Sequence, residues 1–164
     1  MDEQFIIRKA TKEDIDFIIE TIIEAEKSGT DKISFCNIFS LTIEQVHNIL
    51  RNILLKDVRN QELCISDYLL CIINDEYAGA CASWIEAIGG VSAAVLKGDL
   101  LFDSIPRENL ISAKKVFPLI QGLNIEREPL TLQIANAYVR TKFRGKGVIG
   151  KLISEHVKIL KKNN

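Results

Sequence analysis

The segment "LTLQIANAYVRTKFRGKGVIGKLISEHVKILKK", residues 130 to 162, constrains the fold more than any other part of the chain. Residues 130 to 139 read as a strand and residues 140 to 147 as a turn. From Val148 onward, Ile149, Leu152, Ile153, Val157 and Leu160 recur with helical spacing and predict an amphipathic helix. A strand, a glycine turn and a helix start in that order present successive unpaired backbone N–H groups at the positive end of a helix dipole. Such a turn cradles an anion. Gly145 and Gly147 suit it because a Cβ would hold a phosphate away from the amides, and because tight turns of this kind need positive φ. Arg144 and Lys146 add positive charge.

Read literally, Gly145-Lys-Gly147-Val-Ile-Gly150 also spells a dinucleotide-binding motif. That motif opens a βαβ unit of about 30 residues with an acidic ribose ligand about 20 residues on; only fourteen residues follow Gly150 here, and the context fails. A kinase glycine loop fails too, because it precedes the lysine strand and the catalytic apparatus. A Walker A loop requires Gly-Lys-Ser or Gly-Lys-Thr, which is not present.

Net charge is −1, but it is unevenly placed. From Arg140 onward there are eight Lys or Arg against one acid, Glu155, while the first 139 residues hold 13 bases and 21 acids. This asymmetry points to a localised anion site. Aromatic residues are not interleaved with the bases beyond Tyr138 and Phe143, which argues against a nucleic-acid groove. Cys36, Cys64, Cys71 and Cys81 show no CxxC spacing and only two histidines accompany them, so neither zinc nor a disulfide framework is indicated. The N-terminus lacks the apolar stretch of a signal peptide, and no segment approaches the roughly 20 apolar residues that cross a bilayer; a cytoplasmic protein that does not associate with membranes is expected. At 164 residues and 47% hydrophobic content the chain suits one domain, 1–164.

The remainder reads as β-α-α-β-β-(α)-β-α. "FIIRK" is a short strand; Thr11 caps a helix in which Ile15, Ile18, Ile19, Ile22 and Ile23 form a stripe ending near Ser28-Gly29. After an irregular stretch, Thr42 and Gln45 make a capping box for a second helix lined by Ile43, Val46, Ile49, Leu50, Ile53 and Leu54. "YLLCIIND" and "EYAGACASWIEA" form an antiparallel hairpin around Asn74-Asp75-Glu76, with small residues Ala80, Ala82 and Ser83 on its second strand. Residues 91 to 130 are less regular, with a helix from Pro106 disturbed by Pro118 and ended by Gly122.

In this order of elements, "YVRTKFRGKGVIGKLI" preceded by "LTLQIANA" resembles the acetyl-CoA-binding core of the GNAT superfamily of acyl-CoA N-acyltransferases, whose loop follows (Gln/Arg)-x-x-Gly-x-(Gly/Ala). "FIIRKATKEDIDFI" is similar to the family's first strand and helix, and "LLCIINDEYAGACASWIEA" to its second and third strands. The resemblance implies an α/β (α+β) fold, a mixed, mostly antiparallel sheet flanked by helices, cut short after the helix that follows the coenzyme loop. It implies that the backbone from Arg144 through Gly145, Lys146, Gly147 and Val148 to Ile149 holds the pyrophosphate of coenzyme A. The pantetheine arm lies along Ala137, Tyr138, Val139 and Arg140, with the Val139 amide polarising the thioester carbonyl. The implied reaction is direct attack by an amine of an unidentified small molecule or protein on acetyl-CoA, without metal.

Three departures qualify the resemblance. Ile149 stands where the pattern prefers Gly or Ala. Gln133 occupies the place of the glutamate base in the histone-acetylating branch, and an amide takes no proton at neutral pH; Glu86 is the first alternative base, with Glu126 and Glu128 next. The family's later strands and its tyrosine acid have no counterpart in the chain. A non-catalytic CoA-binding or interaction module is therefore the alternative reading. The strand at 131–139 is expected to show an open edge, completed by a homo-oligomeric copy or a further segment.

Overall fold

Four strands, β1 (Phe5–Lys9), β2 (Tyr68–Ile73), β3 (Glu76–Ile85) and β4 (Leu132–Val139), form one sheet in the order β1-β2-β3-β4. The structure is a computed structural model describing residues 4–27, 29–120 and 126–163, and every strand pairing among the described residues is antiparallel. The expected hairpin joins β2 to β3. Asn74 (φ 49°) and Asp75 (φ 62°) both adopt the left-handed conformation, so the turn is a two-residue type I′ connection and Glu76 already belongs to β3.

The first helix, α1 (Ile15–Glu26), buries the expected isoleucine stripe together with Phe17. A short 3-10 turn, Lys12–Asp14, precedes it, and Asp14 ties three elements together. Its carboxylate accepts hydrogen bonds from the Thr11 N–H (2.8 Å), from both Arg8 Nη atoms on β1 (2.7 Å each) and from the Tyr77 hydroxyl on β3 (2.7 Å). The Arg8 guanidinium holds this buried carboxyl well below the usual carboxylate range. Tyr77 in turn stacks on Phe17 with centroids 4.5 Å apart.

The stretch read as irregular holds a short helix, α2 (Ser34–Phe39), ended by Ser40 in the left-handed conformation. In α3 (Ile43–Lys56) the Thr42–Gln45 capping box is formed, and Val46, Ile49, Leu50, Ile53 and Leu54 are buried, whereas Ile43 in the first turn is exposed. The region from residue 91 also contains more helix than its pattern suggested. Ser92 caps α4 (Ala93–Ser104), and the helix expected from Pro106 is divided into α5 (Arg107–Ala113) and α6 (Phe117–Ile120). The proposed end at Gly122 lies outside the described residues. The last helix, α7 (Val148–Asn163), begins where the glycine turn ends.

The sheet separates two apolar clusters. On one face Ile18, Ile22, Leu50 and Ile53 pack with Tyr68, Leu70, Ala80 and Ala82; on the other, Val148 and Leu152 pack with Leu69, Cys71, Ile73, Ala78 and Cys81. One polar clasp crosses this second face. His156 of α7 is 5% exposed, its Nε2 lies 3.2 Å from the Cys81 carbonyl and its Nδ1 lies 2.5 Å from Ser83 Oγ. A carbonyl only accepts, so Nε2 carries the proton and the Ser83 hydroxyl donates to Nδ1. Burial favours the neutral imidazole and pushes the His156 pKa below the usual 6.5.

As pH falls through 6.5 the unfolded chain takes up this proton before the folded one does, so stability is full above that pH and declines below it. Between pH 7.5 and 5.5 the denaturation midpoint of the wild type should fall further than that of His156→Gln, the difference corresponding to at most about 1.4 kcal/mol per pH unit. Parallel pH profiles for the two proteins would show that folding does not lower the His156 pKa.

Candidate functional site

The β3–β4 pairing determines which backbone groups of β4 remain available. The Arg140 N–H donates to the Ala78 carbonyl (2.9 Å), Tyr138 pairs with Ala80 and Val139 lies opposite Gly79. Hydrogen-bonded and non-hydrogen-bonded pairs alternate along an antiparallel ladder. The N–H and C=O of Val139, lying between two hydrogen-bonded pairs, therefore point away from β3, toward an edge that no strand covers among the described residues. The Val139 carbonyl accepts from Arg144 Nε at 3.1 Å, in keeping with that direction. Farther back, Ala82 pairs with Ala135, so one residue is inserted between Ala135 and Tyr138. The insertion is a β-bulge with Asn136 at φ 50°.

The bulge was not visible in the sequence, and buried polar groups hold it. Asn136 Nδ2 donates to Tyr68 Oη (2.8 Å) and to the Glu62 carbonyl (3.2 Å), which also accepts from the Tyr68 hydroxyl at 2.9 Å. Tyr68 is fully buried.

Beyond Val139 the chain makes a 3-10 turn, Thr141–Phe143, and Phe143 is buried against Val148 and Leu152. Gly145 (φ 81°) and Gly147 (φ 75°) both occupy the left-handed region, and a Cβ at either would meet no atom within 4 Å. Conformation, and not packing, fixes these two glycines, and the space beside them is open. An i to i−4 bond runs from the Lys151 N–H to the Gly147 carbonyl at 3.1 Å, so the amides of Val148, Ile149 and Gly150 precede the helical ladder. A concavity of about 280 Å³ opens there, lined by Val139, Phe143, Arg144 and residues 145 and 147 to 150. The observed backbone fits an anionic, phosphate-bearing group: left-handed glycines, open space and first-turn amides face one hollow.

The cations of this basic segment are partly engaged elsewhere. The Arg140 guanidinium pairs with Glu20 of α1 (2.8 and 2.5 Å) and lies 4.9 Å over the Phe17 ring, so this residue offers the edge its backbone only. Lys142 pairs with Glu76, and both Lys142 and Lys146 approach the Phe143 ring. Ile149 is half-buried in the first turn of α7, with Val148 beneath it in the core.

The structure does not bring Glu86 to Val139. The two are separated by seven residues of β3 counted from Gly79, or about 23 Å at roughly 3.3 Å per residue. Both Glu86 oxygens are occupied: Oε2 accepts from Trp84 Nε1 (3.1 Å) and Oε1 from the Ala93 N–H (3.0 Å) at the start of α4. The residue is 3% exposed and serves as an anchor for that helix. Glu126 and Glu128 are exposed or at the surface, and Gln133 Nε2 donates to Thr131 Oγ1. Cys64, Cys71 and Cys81 are buried and burial pushes their thiols up, that of Cys81 to about 12, so none is poised as a nucleophile. Among the described residues no group of His, Cys, Asp or Glu is arranged to hold a metal ion, and no helix is long and apolar enough to cross a membrane.

Solved structures share this architecture. An N-acetyltransferase from Staphylococcus aureus Mu50 superposes with a TM-score of 0.66 at 15% identity, over 93% of this chain and 75% of its own. A second acetyltransferase gives a TM-score of 0.55 at 20% identity over 94% and 73% of the two chains. Arylalkylamine N-acetyltransferase 2 from Aedes aegypti gives 0.55 at 19% identity over 98% and 72%. No family model matches the sequence, and no curated protein matches it significantly. The chain thus has the GNAT-like fold that the resemblance implied, the fold of these acetyltransferases.

Gly79 is a site residue that the sequence did not single out. A Cβ there would lie 2.6 Å from the Tyr138 carbonyl oxygen, 3.0 Å from Val148 Cγ1 and 3.1 Å from Val139 Cγ2. The missing side chain lets β4 and the start of α7 close on β3. Gly79→Ala should destabilise the protein by about 1–3 kcal/mol, read as a lowered midpoint of chemical denaturation. An unchanged midpoint would mean that β4 does not approach β3 this closely.

Proposed function

We propose that the chain is an N-acetyltransferase that moves an acetyl group from acetyl-CoA to an amine of a small molecule or protein by direct attack. One observation carries the reading: the outward Val139 N–H and the glycine loop at the α7 N-terminus border the same hollow. The amides from Arg144 to Ile149 would hold the diphosphate, and the backbone of Ala137, Tyr138, Val139 and Arg140 would hold the extended arm. When bound, acetyl-CoA supplies the activated acyl group. Val139, with its strand held by β3, is the preorganised donor for a carbonyl oxygen; in acyl transfer one such donor is worth about 100- to 1000-fold in rate. The buried thiols agree with a route that needs no acyl-enzyme. We further propose that a second copy or a further segment completes the sheet beside residues 131 to 139, since an uncovered edge strand is a ready partner for another chain.

A second reading, a CoA-binding module without turnover, is favoured by Gln133 and by the occupied carboxylate of Glu86. Calorimetry and thiol release separate the two. CoA should bind in preference to NAD or ATP, and Gly147→Glu should abolish binding, because the left-handed backbone disfavours the new side chain and its carboxylate repels phosphate. Equal CoA affinity in that variant would sink the assignment, while CoA binding without thiol release across a panel of primary amines would favour the module.

A further inference from the structure

With Glu86 committed to α4, Glu76 of β3 paired with Lys142 and Gln133 unable to take a proton, β3 and β4 offer the proposed reaction no uncommitted carboxylate. The bulge shows where to look for one. Asn136 immediately precedes Ala137, and its side chain fastens the Glu62 backbone to β4 on the sheet face covered by α1. At Glu62 four charged side chains, its own included, converge from four parts of the chain. The Glu62 carboxylate pairs with Lys97 of α4 and lies 3.5 Å from Arg127, whose guanidinium sits 5.3 Å over the Trp84 ring. Glu26, in the last turn of α1, lies within electrostatic reach of both Lys97 and Glu62.

The two carboxylates are not equivalent. Glu62 is neutralised by its two cations. Glu26 has no ion-pair partner among the described residues; its Oε2 accepts from the Ser34 N–H (3.1 Å) and the Ser34 hydroxyl at the start of α2, and its Oε1 accepts no hydrogen bond among them. The side chain is half-buried. Burial pushes the Glu26 pKa up, against the smaller pulls of Lys97 and the Ser34 amide, and Glu62 adds the least to the rise, so its proton affinity moves toward that useful in a base near neutral pH.

We propose that Glu26 is the general base of the acetyl transfer inferred above, and that the acceptor is a primary amine presented to Glu26 Oε1 over the Asn136 bulge. This rests on the acetyltransferase reading. An alkylammonium gives one proton to Glu26; the freed nitrogen lone pair forms the N–C bond to the acetyl carbon as the C–S bond breaks. Sulfur keeps the pair of that bond and takes the second proton lost by nitrogen, and Glu26 returns its proton to water. Unpaired, the carboxylate also attracts the acceptor as a cation, so amines should be preferred over alcohols and anionic acceptors.

The test uses the full chain saturated with CoA, with carboxyl carbons labelled in glutamate and n-butylamine and 2-phenylethylamine as probes. Glu26 should titrate above an ordinary glutamate, both amines should move its resonance, and Glu26→Gln should abolish that response while CoA affinity stays within about twofold. Thiol release by the variant should fall by at least about 100-fold, the usual contribution of a positioned base. An ordinary Glu26 titration, amine binding that leaves its resonance unmoved, or no amine binding at all would overturn the assignment. Failure of CoA itself to bind would instead strike the acetyltransferase reading, and this one with it.

Discussion

One strand, β4, whose second edge no strand covers among the described residues, governs the molecule. Backbone N–H and C=O groups must find partners, and β4 gives one side of its ladder to β3 while the other side, including the Val139 amide, faces outward. Much of the surrounding architecture holds that strand in place. Gly79 lets β3 and β4 close together, α1 packs along β4 through Tyr138 and the Arg140–Glu20 pair, and the Phe143 ring seats the turn that leads into α7. The Asn136 bulge then divides the edge in two, and its side chain binds the strand to Tyr68 and to the loop ahead of β2.

Charge is distributed to suit a backbone cradle more than a cage of side chains. The segment from Arg140 carries a large positive excess, yet Arg140 is committed to Glu20, Lys142 to Glu76, and Arg144 donates to the Val139 carbonyl. Fixed amides at the α7 N-terminus are therefore the donors proposed for the hollow, with the basic helix providing a favourable field around them. On the other sheet face, Glu26 of α1 and Glu62 ahead of β2 meet Lys97, and Glu62 also meets Arg127.

The features legible in the sequence were those written in periodicity and turn chemistry. The isoleucine stripe of α1, the Thr42–Gln45 box, the Asn74-Asp75 turn and the glycine loop each follow from local residue types, and each is present. Other features depend on contacts between distant segments. α4 carries Gly98 in its interior and buries little beyond Ala93 and Leu100, so no stripe announced it. The bulge is concealed because β4 is partly apolar on both faces, and an inserted residue leaves its composition unchanged. Glu86 follows Trp84 closely in sequence, but its partner at Ala93 is fixed by tertiary packing, which no spacing predicts. His156 was visible in principle: with Leu152 and Ile159 it occupies the i, i+4, i+7 positions of the buried face of α7, a signal that the hydrophobic count alone passes over.

The central claim is that the outward edge of β4 and the glycine loop form one groove for coenzyme A. Amide hydrogen exchange, followed residue by residue with and without saturating CoA, addresses it directly. Slowed exchange is expected at Val139 and at residues 147 to 149 together, since one ligand would engage both the strand edge and the first turn of α7. Protection of the loop without Val139, or no protection of either at saturation, would contradict it.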